Sequence, residues 1–116
     1  MDNDADKKLL RIFIGEADNY EGRPLYQAIV EKLREEGIAG ATVLRGVEGF
    51  GKSSLLHTAN VLRLSEDLPL LIECVDTADK IEEILPTLDD MIEDGLVTVQ
   101  DAEVRVYRGT GDNQGG

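Results

Sequence analysis

Two stripes of apolar residues at three- and four-residue spacing, each flanked by short apolar runs, constrain this chain more than any other feature. The first stripe is Leu25, Ala28, Ile29 and Leu33, with Glu31, Lys32, Arg34, Glu35 and Glu36 filling the opposite face. The second is Ile81, Ile84, Leu85, Leu88, Met91 and Ile92. Apolar residues recurring this way form one face of an amphipathic helix. Pro24 suits the first helical position and Gly37 a left-handed cap at the end of the first helix. Asp76 or Thr77 suits the N-cap of the second, and Gly95 its end. Pro86 falls inside that second helix, where the missing N–H predicts a kink.

The flanking runs read as strands. They are Leu9–Glu16, Ala41–Val47 and Leu68–Val75, the last with Pro69 confined to its start or to a sheet edge. Leu96–Val99 and Ala102–Tyr107 read as a final strand or a hairpin, and Asp18–Arg23 as a polar turn. Leu55–Leu64 fits a short helix as well as a strand. The order is β-α-β, a long connection, then β-α-β. Right-handed crossovers fold such a chain into an α+β, ferredoxin-like double βαβ sandwich: an antiparallel sheet, two helices on one face, and a long loop after the second strand. Residues 8–108 form the expected single domain, with residues 1–7 and 109–116 as flexible tails. The sheet face opposite the helices needs cover. In a domain this small the cover expected is another subunit, which makes the chain a homo-oligomer with ligand sites in the clefts between copies.

Composition narrows the function classes. Hydrophobic residues make up 41% and aromatics 4%, so the core must come from Leu, Ile, Val and Ala. The net charge of −12 argues against nucleic acid or an anionic membrane as a partner. The one cysteine, Cys74, excludes an intrachain disulfide and a Cys-based zinc site. No apolar run reaches the roughly 18 residues of a membrane span, and Met1–Lys8 is too charged for a secretory signal, so a cytoplasmic protein is expected.

The chemistry concentrates in Gly46–Ser53. The run matches the phosphate-binding pattern G-x-x-x-x-G-K-S, in which backbone N–H groups cradle phosphates and Lys52 neutralises them. In nucleotide hydrolases that loop follows the first strand of a parallel, doubly wound sheet. Here it follows the second strand, with too few strands left to build one. A ligand-free glycine loop is the bland alternative. A mobile loop whose base binds an anion fits better. Residues 39–65 hold Arg45, Lys52 and Arg63 against Glu48, which makes them +2 in a chain of −12 and leaves −14 elsewhere. Pairing of Arg45 and Arg63 with acidic surface neighbours is the plain structural reading. His57, the single histidine, sits in the same region as a ligand contact or a structural hydrogen bond. One histidine and one distant cysteine make no metal site. Adjacent pairs such as Glu82–Glu83 and Asp89–Asp90 point about 100° apart on a helix, so they are solvated faces. No acid–base pair or triad stands out, and no enzyme is expected.

Several motifs then carry a family resemblance. Gly49-Phe50-Gly51, opening the long connection, resembles the base of the T-loop in nitrogen regulatory PII proteins. Ile92–Val99 resembles the PII segment where a glycine-aspartate-glycine-lysine turn enters an apolar strand, and Glu103–Gly109 its closing strand. With His57-Thr58, Leu64–Pro69 and Val75-Asp76, the run from Leu10 to Arg108 is similar to an uncharacterised PII-like family of bacterial and archaeal proteins. The resemblance implies a homotrimeric, non-enzymatic signalling protein with an adenine nucleotide between subunits. AMP, cyclic AMP, ADP and ATP stay open, with magnesium admitted. It implies backbone contacts from Gly49, Phe50 and Gly51, phosphate contact from Lys52, a second binding turn at Asp94 and Gly95, and phosphate or interface arginines at Arg105 and Arg108. Arg45, Ser53 and His57 complete the candidate set. Leu96 stands where PII has its turn lysine, and Glu93 where it has a glycine. The lost positive charge puts a monophosphate or cyclic nucleotide on a par with a triphosphate. The implied partner is an unidentified protein, a membrane transporter among the classes, reached through the 47–66 loop. A small hydrolase using Lys52, Ser53 and Asp76, and a trimeric scaffold similar to divalent-cation tolerance proteins, are the alternatives.

Overall fold

Alternation along the first apolar run sets the first element. In a computed structural model, which describes residues 6–49, 57–58 and 67–109, β1 spans Lys7–Gly15 and buries Leu10, Ile12 and Ile14 on one face. The expected polar turn is a small hairpin, β2 (Asn19–Tyr20) against β3 (Arg23–Pro24). Helix α1 covers Leu25–Glu35 and buries Leu25, Ala28, Ile29 and Leu33, the whole first stripe. Pro24 stands one residue earlier than expected, at the N-cap with ψ 130°, because it pairs with Asn19. Gly37 caps the helix at φ +86°, and Lys80 Nζ donates to its carbonyl at 2.8 Å.

Next come β4 (Thr42–Arg45), β5 (Glu48–Gly49), β6 (His57–Thr58) and β7 (Pro69–Thr77). Helix α2 (Ala78–Met91) and β8 (Leu96–Ala102) complete the chain. The main sheet has the order β4-β7-β1-β8 with every pair antiparallel. Both helices pack on the face that carries Leu10, Ile12, Ile72 and Cys74. The fold is therefore the expected α+β, ferredoxin-like one. Pro69 sits at the start of β7 as anticipated. Thr77 caps α2, accepting from Lys80 N at 3.4 Å, and the helix runs on through Pro86.

Two ends differ from expectation. Helix α2 stops at Met91, and Ile92 is already extended at φ −103°, ψ 112°, so Gly95 does not end the helix. A Cβ on Gly95 would instead lie 2.7 Å from the Phe13 carbonyl oxygen, which makes this glycine a requirement of chain packing beside β1. The stretch Ala102–Tyr107 adds no strand of its own: β8 ends at Ala102, where its neighbour β1 begins at Lys7, and no strand among the described residues runs beside it further. The open question of Leu55–Leu64 lies outside the described residues, apart from the strand backbone of His57 and Thr58.

Cys74 and Asp76 lie on the inner face of β7. Burial pushes the Cys74 thiol up to about 11, helped by the charge of Asp76. Asp76 is 2% exposed and satisfied: Ala39 N donates to Oδ2 at 2.8 Å and Thr77 N to Oδ1 at 2.7 Å. It joins the loop after α1 to the start of α2. The sheet's other face carries Leu9, Phe13, Leu71, Val75 and Leu44 around an Arg11–Glu73 ion pair at 2.7 Å. No helix covers it among the described residues, and Phe13 and Leu44 remain 38% and 47% exposed.

Candidate functional site

Strand direction decides which candidate residues can meet. At one end of the sheet β1 finishes at Gly15, opposite Pro69, and β4 finishes at Arg45. Gly46, Gly49, Asp94 and Gly95 gather at this end. Gly46 N donates to Pro69 O at 2.7 Å, and a Cβ on Gly46 would lie 2.8 Å from Pro69 Cγ. The first glycine of the phosphate-loop pattern is thus accounted for by packing on Pro69. Glu48 and Gly49 pair with Thr58 and His57, which closes the base of the long connection as a two-stranded stem. The side chain of His57, and Phe50, Gly51, Lys52, Ser53 and Arg63 entirely, lie outside the described residues.

Charge at this end is more balanced than the sequence indicated. Arg45 pairs with the Glu16 carboxylate. Asp18 Oδ2 accepts from Gly15 N at 2.9 Å, and Asp67 Oδ1 accepts from Ala17 N at 3.1 Å. Glu16 N donates to Leu68 O at 2.8 Å, so the 15–18 turn and the return of the long connection are stitched together. Glu16, Asp18 and Asp67 were not singled out from sequence. The one local signal is the Gly15-x-x-Asp18 spacing, a common turn pattern in which the carboxylate reaches back to backbone. Burial raises the Asp18 carboxyl above its ordinary value, the Gly15 N–H offsets part of that, and the charges of Asp67 and Asp94 raise it further. A raised native value means the folded chain takes up a proton that the unfolded chain does not. Stability from this group therefore rises as pH falls through the native value, and levels off below the ordinary carboxylate range. Asp18→Asn is expected to remove that acid-side rise while keeping an acceptor for Gly15 N–H, as read by urea unfolding across pH 3–7. An unchanged pH profile would show that Asp18 is not the group responsible.

Arg105 and Arg108 follow β8 and leave from the other end, beside Lys7 and Thr77. The nine residues of β1 put the two ends of the sheet about 25 Å apart at roughly 3.3 Å per residue, and the segment after β8 turns back from the far end over the open face, where Val104–Tyr107 line one groove with Thr42 and Glu73. The Arg105 side chain is 82% exposed, with a loose 3.5 Å contact to Glu103, and Arg108 has no ion pair among the described residues. Asp76 is at this end too. As a magnesium partner for Lys52 and Ser53 it is misplaced: β7 carries it away from Pro69, and both its oxygens are held by backbone N–H groups. Among the described residues no three His, Cys, Asp or Glu side chains are grouped to hold a metal ion. No helix among them is long and apolar enough to cross a membrane.

Comparison with known proteins places these features. A family profile described as DUF190, Uncharacterized ACR, matches residues 7–104. A UPF0166 protein of Methanocaldococcus jannaschii is 40% identical over 103 residues, 88% of this chain and 93% of its own length. Among solved structures, CPII of Thiomonas intermedia, a nitrogen regulatory PII-like protein bound to ADP, AMP and bicarbonate, superposes with TM-score 0.56 at 18% identity. The match covers 84% of this chain and 86% of that one. The divalent ion tolerance protein CutA1 of Ehrlichia chaffeensis superposes with TM-score 0.60 at 12% identity, over 96% and 92% of the two chains. At these identities the structural matches speak to the fold.

Proposed function

The chain belongs to the DUF190 family, and we propose that it works as a PII-like, non-enzymatic signalling protein. In this reading residues 8–108 are the working unit of a cytoplasmic homotrimer. An adenine nucleotide binds in the clefts between copies, and residues 47–66 act on a protein partner. One observation carries it: the candidate residues divide between opposite ends of the sheet. Arg45, Gly49, Asp94 and Gly95 are at the Gly15 end, and Arg105 and Arg108 are at the Lys7 end. A cleft between two copies would bring the two groups together. Phe50, Gly51, Lys52, Ser53 and His57 join the first group by sequence position. The structure of the Thiomonas protein with ADP and AMP supports the ligand class. Charge then favours few phosphates: Glu16 already holds Arg45, Asp18, Asp67 and Asp94 share that end, and Leu96 replaces a lysine. The hydrolase alternative loses weight with the position of Asp76.

Calorimetric titration with AMP, cyclic AMP, ADP and ATP, with and without magnesium, tests the reading. Saturable binding near one ligand per copy is expected, tighter for AMP or cyclic AMP than for ATP and without phosphate release. Arg105→Ala is expected to weaken it about tenfold or more, as loss of one charge-assisted contact does. No heat with any nucleotide from a folded oligomer would overturn the nucleotide reading. Magnesium-dependent phosphate release would replace it with the hydrolase.

A further inference from the structure

At the Gly15 end of the sheet an ion pair is laid across a strand. Arg45 ends β4 and Glu16 follows β1. Strand β7 runs between them, with Leu70 opposite both Arg45 and Ile14. The two side chains therefore meet over the start of β7. Backbone contacts fix both roots of this bridge. Glu16 N donates to Leu68 O at 2.8 Å, and Gly46 N, next to Arg45, donates to Pro69 O at 2.7 Å. The Pro69 ring closes on the same root, with its Cγ 2.8 Å from the Cβ position of Gly46 and 3.2 Å from that of Gly49. The strands are thus joined whether or not Arg45 and Glu16 touch. An exposed pair adds little to stability in any case, so its consequence lies in what Arg45 is left able to do.

The partners are unequally exposed. The Glu16 side chain is 21% accessible and that of Arg45 60%. The carboxylate is the seated partner, and the guanidinium is the one that solvent reaches. Neighbouring acids are turned elsewhere: Asp18 accepts from Gly15 N and Asp67 from Ala17 N. A guanidinium presents a planar fork of donors that fits a carboxylate and a phosphate alike. Glu16 therefore holds Arg45 in the way that a phosphate oxygen would.

We infer that Glu16 is an internal competitor for Arg45 and sets how many phosphates the candidate site accepts. The inference rests on the nucleotide reading above and assigns its selectivity to one residue. A phosphate that takes Arg45 must displace the Glu16 carboxylate, which stays anchored beside it as a like charge. That repulsion grows with the charge of the ligand, so it weakens ATP more than ADP, and ADP more than AMP. Removing the charge of Glu16 should then strengthen binding, and strengthen ATP most.

Magnesium-free calorimetric titration of wild type and Glu16→Gln with AMP, ADP and ATP tests this. Glutamine keeps the length of the side chain and the backbone bond to Leu68, and thermal melts confirm that the variant is folded; Glu16→Ala serves if it is not. ATP affinity is expected to rise about tenfold and AMP affinity by less than about threefold, as loss of one like charge beside a more and a less charged ligand gives. In an Arg45→Ala background the same substitution is expected to lose most of its effect, because the competition is for Arg45. No gain, an equal gain for the three nucleotides, or a full gain without Arg45 would each overturn the inference and leave nucleotide binding in place. If neither wild type nor Glu16→Gln binds a nucleotide, the nucleotide reading falls, and tripolyphosphate decides the role of Glu16. The Arg45 Nε–H NMR signal is then expected to shift at about tenfold lower tripolyphosphate in Glu16→Gln than in wild type. Equal shifts, or none in either protein, would overturn it.

Discussion

Replacing Asp76 by alanine is expected to lower the unfolding free energy by about 2 kcal/mol, since each of two part-buried N–H groups left without its acceptor costs at the low end of roughly 1–3 kcal/mol. Its two oxygens hold Ala39 N–H and Thr77 N–H at 2.8 and 2.7 Å in a site 2% exposed to solvent. Alanine takes the carboxylate from both donors, Thr77 N–H being the more enclosed, and frees the loop after α1 from the start of α2. Asp76→Asn keeps one acceptor oxygen and turns an N–H₂ group toward the other donor, so it should fall between wild type and Asp76→Ala. Urea unfolding reads the series directly. Against a typical total of about 5–15 kcal/mol the alanine effect is large. The same variant separates two roles. Loss of a structural carboxylate lowers stability and leaves nucleotide binding at saturating folded protein unchanged. A magnesium ligand would do the reverse, and an Asp76→Ala chain as stable as wild type would reopen that role.

What could be read in advance follows from what a local pattern can encode. The stripe Leu25, Ala28, Ile29, Leu33 is buried as a set because helical period and burial coincide there, and Gly37 caps where the stripe ends. Two misreadings have a common cause in tertiary contact. The alternation at Val104 and Val106 is a strand pattern, but a strand exists only where a neighbour runs beside it, and β1 starts at Lys7 opposite Ala102. The candidate site could be named from sequence as a set of residues but not located. Nothing near Arg45 or Ala102 in sequence says that they lie at opposite ends of one sheet; that follows from strand direction and register. Glu16 and Asp67 escaped notice because their roles are set by residues tens of positions away, Arg45 and Ala17.

Gly95, a candidate for the second binding turn, is also required by packing, and Gly95→Ala is expected to lose about 2 kcal/mol of stability, within the usual range for forcing atoms into a filled space. The added Cβ would stand 2.7 Å from the Phe13 carbonyl oxygen, 3.1 Å from Ile92 Cγ2 and 3.2 Å from Ile14 Cγ2. None of the three can yield easily. Phe13 is paired on both sides, with Leu71 and with Leu96, and Ile14 is buried in the core. The strain must therefore appear in the turn itself, by lifting residues 92–95 or opening the Phe13–Leu96 pair at the start of β8. Urea unfolding measures the loss, and amide exchange at Leu96 locates it. If stability falls and exchange at Leu96 quickens, β1 is reason enough for a glycine at this position, and any accompanying loss of nucleotide affinity is secondary to a displaced turn. If the alanine chain is as stable as wild type, the backbone has room to give, and the glycine is there for something that approaches from outside the chain.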